Sequence, residues 1–185
     1  MDVAINLAME GGFDNVRQRD VAAAAGVALG TLYKAFRSKE DILVAAVDRQ
    51  AESVVQRFAN KSMEGATPAE RVGNLFDFMT RAMCRKPHYA RSVIKAMASG
   101  EPEVTGSLAS YRGHITRMVI AALRGEACGE DGKPPSEAEQ KCSTYLQDIW
   151  FASLVGWAAG LTNQPQAIQH MRDAADALLN GIELG

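Results

Sequence analysis

Apolar residues recur at helical spacing over almost the whole chain, and no stretch alternates in the way a half-buried strand requires. Val3, Ala4, Leu7 and Ala8 form a first stripe that stops at the Gly11-Gly12 pair. Phe13 and Val16 follow it into the core. Two short runs come next: residues 21–25, alanine-rich and closed by Gly26, and residues 29–36. Ser38, followed by Glu40 and Asp41, is a strong helix start. Ile42, Leu43, Ala46, Val47, Ala51, Val54, Val55 and Phe58 extend that helix over roughly 20 residues. It begins on the short-helix region and ends in the rest of the protein, so it is expected to transmit force between them.

Residues 60–67 read as a loop, and Pro68 suits the first turn of the next helix. That helix carries Val72, Leu75, Phe76, Met79, Ala82 and Met83 on one face until Pro87 breaks it. A helix over about 88–98 follows, and residues 100–102 break the chain again. A longer one over about 103–123 carries Leu108, Tyr111, Ile115, Met118, Val119 and Ala122. Residues 125–135 form the most loop-like segment. Ser136 with Glu139 has capping-box spacing and opens a helix over about 136–161, apolar on nearly all sides in its second half. Residues 164–180 close the chain. The expectation is an all-α protein of about nine helices with no strand and no internal repeat.

The two short runs around Gly26 fit a pair of helices joined by a tight turn, a shape whose second helix can enter the DNA major groove. Charge sharpens this reading. The chain has a formal net charge of −2, which argues against nucleic-acid binding over the whole surface. Residues 17–39 nevertheless hold Arg17, Arg19, Lys34, Arg37 and Lys39 against Asp20 alone, a local excess of four positive charges. Val21, Ala22, Ala25, Val27, Leu32 and Phe36 are expected to pack a small three-helix core. Gly30 and Thr31 lack bulk, so their helix can lie deep in a groove. Thr31 suits a base edge or a thymine methyl, and Tyr33 and Lys34 suit phosphates or base edges. Lys39 suits a phosphate beside free backbone N–H groups.

The segment GGFDNVRQRDVAAAAGVALGTLYKAFRSKEDIL resembles the DNA-binding region of the TetR family of transcriptional repressors. The shared residues are Gly12, Phe13, Val21, Ala22, Ala25, Gly26, Val27, Gly30, Thr31, Leu32, Tyr33, Phe36, Ser38, Lys39 and Glu40. The resemblance implies a helix-turn-helix domain over residues 1–45 and a ligand-binding and dimerisation domain over 46–185. It implies Arg17, Arg19, Ala28, Leu29, Gly30, Thr31, Tyr33, Lys34 and Lys39 as the DNA-contacting set, on a double-stranded operator. Three departures stand out. Ala28 sits where the family often has a Ser or Thr cap, and Arg17 where a Thr cap is frequent. A missing cap costs about 1 kcal/mol, so the helix over 29–36 is expected to rest mainly on packing, and Arg17 is expected to trade capping for phosphate attraction. No basic arm precedes the first helix: either the native protein starts upstream, or its affinity rests on fewer phosphate contacts and has a shallower salt dependence.

The resemblance also implies a ligand cavity in the C-terminal helices, whose occupation moves the fourth helix and spreads the two readers. Phe76, Met79, Met83, Tyr89, Ile94, Met97, Tyr111, His114, Met118 and Trp150 are the candidate lining, and eight Met in the chain favour an adaptable apolar site. Each of these also suits plain core packing. The region from Thr67 to Trp150 is similar, more loosely, to the subgroup that represses sterol or lipid breakdown, which implies a hydrophobic small-molecule effector such as a lipid or steroid acyl-CoA. Ala152, Gly156 and Gly160, spaced by four, with Leu154, Leu161, Ala174, Ala175 and Leu178, are the candidate homodimer face, forming a four-helix bundle across a two-fold axis.

Competing chemistry finds little support. There is no GxSxG, HExxH, P-loop or dinucleotide fingerprint, and His88, His114 and His170 are scattered, so neither catalytic nor metal-binding residues nor a cofactor are expected. A helical adaptor that binds protein through a weakened reader stays open. Cys84, Cys128 and Cys142 show no ligand or disulfide spacing, which fits a reducing cytosol. No apolar run approaches the ~20 residues of a membrane span, and the first residues do not read as a signal peptide.

Overall fold

The computed structural model describes residues 1–129 and 133–181. Among them are nine α-helices and no strand. They are α1 (Asp2–Gly11), α2 (Gln18–Ala24), α3 (Leu29–Ala35), α4 (Lys39–Arg57), α5 (Pro68–Cys84), α6 (Pro87–Met97), α7 (Thr105–Arg124), α8 (Glu137–Ala158) and α9 (Gln164–Asn180). Two 3₁₀ turns, Phe13–Asn15 and Pro102–Val104, join α1 to α2 and α6 to α7. Of the loop expected over 125–135, residues 130–132 lie outside the described residues.

The chain divides into two compact units, Met1–Ala51 with Arg85–Tyr111, and Glu52–Cys84 with Arg112–Gly185. The expected division at residue 45 treats everything after the reader as one body. By compactness α6 groups instead with the reader, because Ala90, Val93, Ile94 and Ala96 give it a buried face and α1 packs against it.

In the first unit, Ala4, Ile5 and Ala8 of α1, Val16 after the Phe13–Asn15 turn, Val21 and Ala22 of α2, Leu32 of α3, and Ile42, Leu43, Ala46 and Val47 of α4 are buried. Ala25 and Val27, expected in this core, are exposed, with Val27 at 42%. They lie in the turn, where Gly26 at φ +66° reverses the chain and Val27 N–H closes onto the Ala22 carbonyl at 3.0 Å. Phe36 is half-buried. Neither short helix has a side-chain cap: Arg17 and Ala28 occupy the cap positions without a hydrogen bond. Gln18 compensates in part, donating from Nε2 to the Phe36 carbonyl at 3.1 Å and tying the start of α2 to the end of α3. The Ser38 hydroxyl accepts from Asp41 N–H at 3.1 Å, the expected start of α4.

The second unit has α9 packed on α5 and α8. Val72, Leu75 and Phe76, Ile115 and Val119, Leu146 and Leu154, and Met171 and Ala175 fill its core. Ser136 and Glu139 form the expected reciprocal box on α8, and Asn163 with Gln166 does the same for α9. Helix α8 ends at Ala158, three residues earlier than its apolar pattern suggests. Gly160, at φ +79°, terminates it, and Leu161 N–H returns to the Gly156 carbonyl at 2.9 Å. Pro87 likewise does more than break α5: it is the first residue of α6. Arg71 secures the far end of α7 by donating to the Ala122 carbonyl at 2.7 Å, which also accepts from Gly125 N–H at 3.3 Å, and to the Leu123 carbonyl at 3.0 Å, both in the last turn, where a helix runs out of internal donors.

Candidate nucleic-acid interface and sensor core

Helix α3 buries one residue, Leu32, and turns the rest outward. Gly30, Thr31, Tyr33 and Lys34 are exposed, with Tyr33 at 46%, and Leu29 is half-buried. Beside Gly30 there is open space where a larger residue would place its Cβ, so the backbone is accessible there. Arg17, Arg19 and Ala28 are exposed on the same pair of helices. Eight of the nine candidate contact residues are thus in or next to α2 and α3, and their side chains or backbone reach solvent.

Lys39 differs. Its ammonium lies 3.9 Å from the centroid of the Phe13 ring and donates to the Phe13 carbonyl at 3.4 Å. The Asp14 carboxylate is 3.9 Å away. This lysine is held inside the reader, with its side chain 28% exposed.

The lining candidates divide between the units. Tyr89, Ile94, Met97 and Tyr111 belong to the first, and Phe76, Met79, Met83, His114, Met118 and Trp150 to the second. In the first unit Tyr89 is buried, and its hydroxyl donates to Gln50 Oε1 at 3.4 Å. Burial pushes its phenol well above the ordinary tyrosine range. Ile94 and Tyr111 are buried and Met97 is half-buried. In the second unit Phe76 and Trp150 come together, ring centroids 5.5 Å apart. Met79 and Met118 are buried, while Met83 and His114 are half-buried. Met118 also borders a void of about 10 Å³, room for one water, with Phe58, Leu75 and Cys128.

A polar seam crosses this apolar unit. Trp150 Nε1 donates to Thr80 Oγ1 at 2.9 Å, and Gln147 Nε2 donates to Thr116 Oγ1 at 2.9 Å and Ser143 Oγ at 3.1 Å. Thr80, Ser143 and Gln147 are buried. Sequence reasoning missed them. Their signal was Ser143, Gln147 and Trp150 at i, i+4 and i+7, one polar line on a helix otherwise apolar on that side.

The candidate dimer residues also divide. Ala152 and Gly160 are exposed, Leu161 is 81% exposed and Leu178 is 41% exposed, while Gly156 and Ala174 are half-buried. An open groove of about 480 Å³ runs along this face, lined among others by Ile149, Ala152, Gly156 and Leu161. Ala175 is fully buried in its own chain, as Leu154 nearly is. Small size and helical spacing cannot distinguish a contact inside one chain from a contact with a second.

Among the described residues no group of three or more His, Cys, Asp or Glu side chains is placed to hold a metal ion. No helix among them is long and apolar enough to cross a membrane. Burial raises the thiols of Cys128 and Cys142 above the usual range, away from reactive thiolate chemistry.

A turn at Gly26, a second helix with one buried residue, and clustered positive charge on the exposed side define a helix-turn-helix DNA-binding protein. Residues 1–46 match the family model of bacterial regulatory proteins, tetR family, and residues 65–178 match that of the tetracyclin repressor-like C-terminal domain. The chain belongs to the TetR family of transcriptional repressors. It is 29% identical over 185 residues to the HTH-type transcriptional repressor KstR of Mycolicibacterium smegmatis, covering 99% of this chain and 86% of that protein. A crystal structure of a TetR transcriptional regulator from Rhodococcus sp. RHA1 is similar at a TM-score of 0.84 and 25% identity, covering 100% of this chain and 94% of that one. FadR of Thermus thermophilus, a TetR-family repressor solved in complex with lauroyl-CoA, shares the fold at a TM-score of 0.69 and 20% identity, over 100% of this chain and 95% of that one.

Proposed function

We propose that this repressor binds a palindromic operator as a homodimer and releases it when a hydrophobic small molecule, a lipid or steroid acyl-CoA, enters the C-terminal helices. The observation that carries the reading is the outward face of α3: Gly30, Thr31, Tyr33 and Lys34 are exposed while Leu32 alone anchors the helix. Tyr33 and Lys34 contact phosphates or base edges, Thr31 meets a base edge, and Arg17, Arg19 and Lys39 neutralise phosphates. The exposed apolar strip at Ala152, Val155, Leu161 and Leu178 supports the dimer, which sets two readers at matching half-sites.

Release follows from a population shift. The effector binds better to the dimer state whose readers are badly spaced for DNA, and its differential affinity sets the size of the response. A buried apolar core crossed by hydrogen-bonding side chains at Thr80, Thr116, Ser143 and Gln147 suits a largely apolar molecule with polar groups. Lauroyl-CoA bound to a neighbour of the same fold supports the acyl-CoA class.

The test uses fluorescence anisotropy on a duplex enriched from a random pool by the wild-type protein. Tyr33→Ala and Lys34→Ala each weaken binding without changing the far-ultraviolet circular dichroism spectrum. Lauroyl-CoA dissociates the wild-type complex, and free CoA does not. Normal binding by both variants overturns the recognition-helix assignment. Equal response to lauroyl-CoA and free CoA overturns the hydrophobic effector.

A further inference from the structure

Phe13 lies between two lysines from different helices. Lys39 Nζ, at the start of α4, is 3.9 Å from the ring centroid, and Lys95 Nζ, in the last turn of α6, is 4.3 Å from it. The same two ammonium groups face one carboxylate. Asp14 Oδ1 is 3.9 Å from Lys39 Nζ and 3.6 Å from Lys95 Nζ. The cluster therefore holds two positive charges against one aromatic ring and one carboxylate. Its members are unequally open: the side chain of Asp14 is 87% exposed and that of Lys95 59%, against 28% for Lys39.

We infer that Lys95 is a positioning residue for DNA binding, acting through Asp14 on Lys39. The inference rests on the reading that Lys39 takes a phosphate. For Lys39 to do so, its ammonium must exchange Asp14 for the phosphate, and Asp14 must not repel the incoming anion. Lys95 serves both requirements. It leaves Asp14 paired when Lys39 departs, and it offsets the carboxylate charge beside the phosphate path. Without Lys95, Asp14 and Lys39 form a closed one-to-one pair that competes with the DNA. The shared ring acts in the same direction, since two cations on one ring crowd each other and each is bound less firmly than it would be alone. Because Lys95 sits on α6, the set of Lys39 depends on where that helix lies against the Phe13–Asn15 turn, two elements of the same compact unit.

An exposed ion pair changes an equilibrium by roughly three-fold, and two readers on one operator raise that to roughly ten-fold. The experiment is an anisotropy titration of the full chain on the enriched duplex between 50 and 200 mM salt, on the order of the range where phosphate contacts are lost. Lys95→Met should weaken binding roughly ten-fold with an unchanged dependence on salt. Lys95→Arg should bind as the wild type, and adding Asp14→Asn to Lys95→Met should restore affinity. Lys39→Met should weaken binding and lower the salt slope by about 0.9 for each reader. If Lys39→Met binds normally, the phosphate reading of Lys39 fails. If Lys39→Met is weakened and Lys95→Met is not, the positioning role fails. A salt slope lowered by Lys95→Met makes Lys95 a direct phosphate contact, and failure of Asp14→Asn to restore affinity makes its role structural. Either result overturns the inference.

Discussion

Replacing Thr80 by Val tests whether the polar seam of the second unit contributes to its stability. Thr80 is fully buried, and its hydroxyl is the acceptor for the indole N–H of Trp150, itself 4% exposed. Val has nearly the shape of Thr, so the substitution opens no cavity. It removes the acceptor and leaves a buried donor unpaired, at a cost of about 1–3 kcal/mol. The extra methyl returns up to about 0.8 kcal/mol of transfer energy. The net expectation is a loss of about 0.2–2 kcal/mol. The indole cannot swing freely toward another partner, because Phe76 packs against it with ring centroids 5.5 Å apart. Urea unfolding followed by circular dichroism, at one fixed protein concentration because association shifts apparent stability, reads this directly. In a Trp150→Phe background the donor is gone, and Thr80→Val becomes nearly neutral. An equal loss in both backgrounds refutes the reasoning, as does no loss in the wild type.

Arg71→Ala should destabilise the second unit by about 2–3 kcal/mol, since a charged donor to the α7 carbonyls at Ala122 and Leu123 is lost. Arg71→Lys recovers less than half of that for want of the planar fork, and amide exchange at the end of α7 checks it. The Glu139 carboxyl is held down to about 2 by hydrogen bonds from Arg124 and from Ser136 N–H. Its folded value lies below its unfolded one, so its contribution to stability is complete above about pH 4.5 and fades as pH falls toward 2. Arg124→Ala should flatten the stability profile across that window, as measured by thermal unfolding at stepped pH. Gly26→Ala places a side chain at φ +66° with open space around it, so strain alone acts. The expected loss is about 1 kcal/mol by urea unfolding, with no change in the packing of Val21, Ala22 and Leu32.

Signals that act within a few residues were legible before any coordinates. The Ser136 box, the Ser38 cap, the reversal at Gly26 and the limits of α9 are decided by local hydrogen bonds and by φ. The end of α8 was misjudged because Leu161 continues an apolar pattern that Gly160 has already interrupted, and pattern alone gives that glycine too little weight. What lay out of reach was tertiary. Trp150 meets Thr80 from 70 residues away, and Gln147 meets Thr116 from 31. Lys95 reaches Asp14 only because α6 packs against α1 and the Phe13–Asn15 turn. The reader's outward residues were legible because a seven-residue helix with a single buried anchor has only one way to face the core.

Two copies of α3 that read DNA from one proposed dimer should select a sequence with the same two-fold symmetry. Rounds of selection from a random 30-base-pair duplex pool (a length on the order of three helical turns) test it most directly, run in parallel with the wild type and the Tyr33→Ala/Lys34→Ala double variant. The wild type should enrich an inverted repeat, bound by an even number of chains, and the double variant should enrich nothing. A wild type that enriches no sequence, or an inverted repeat enriched equally by the double variant, would contradict this reading.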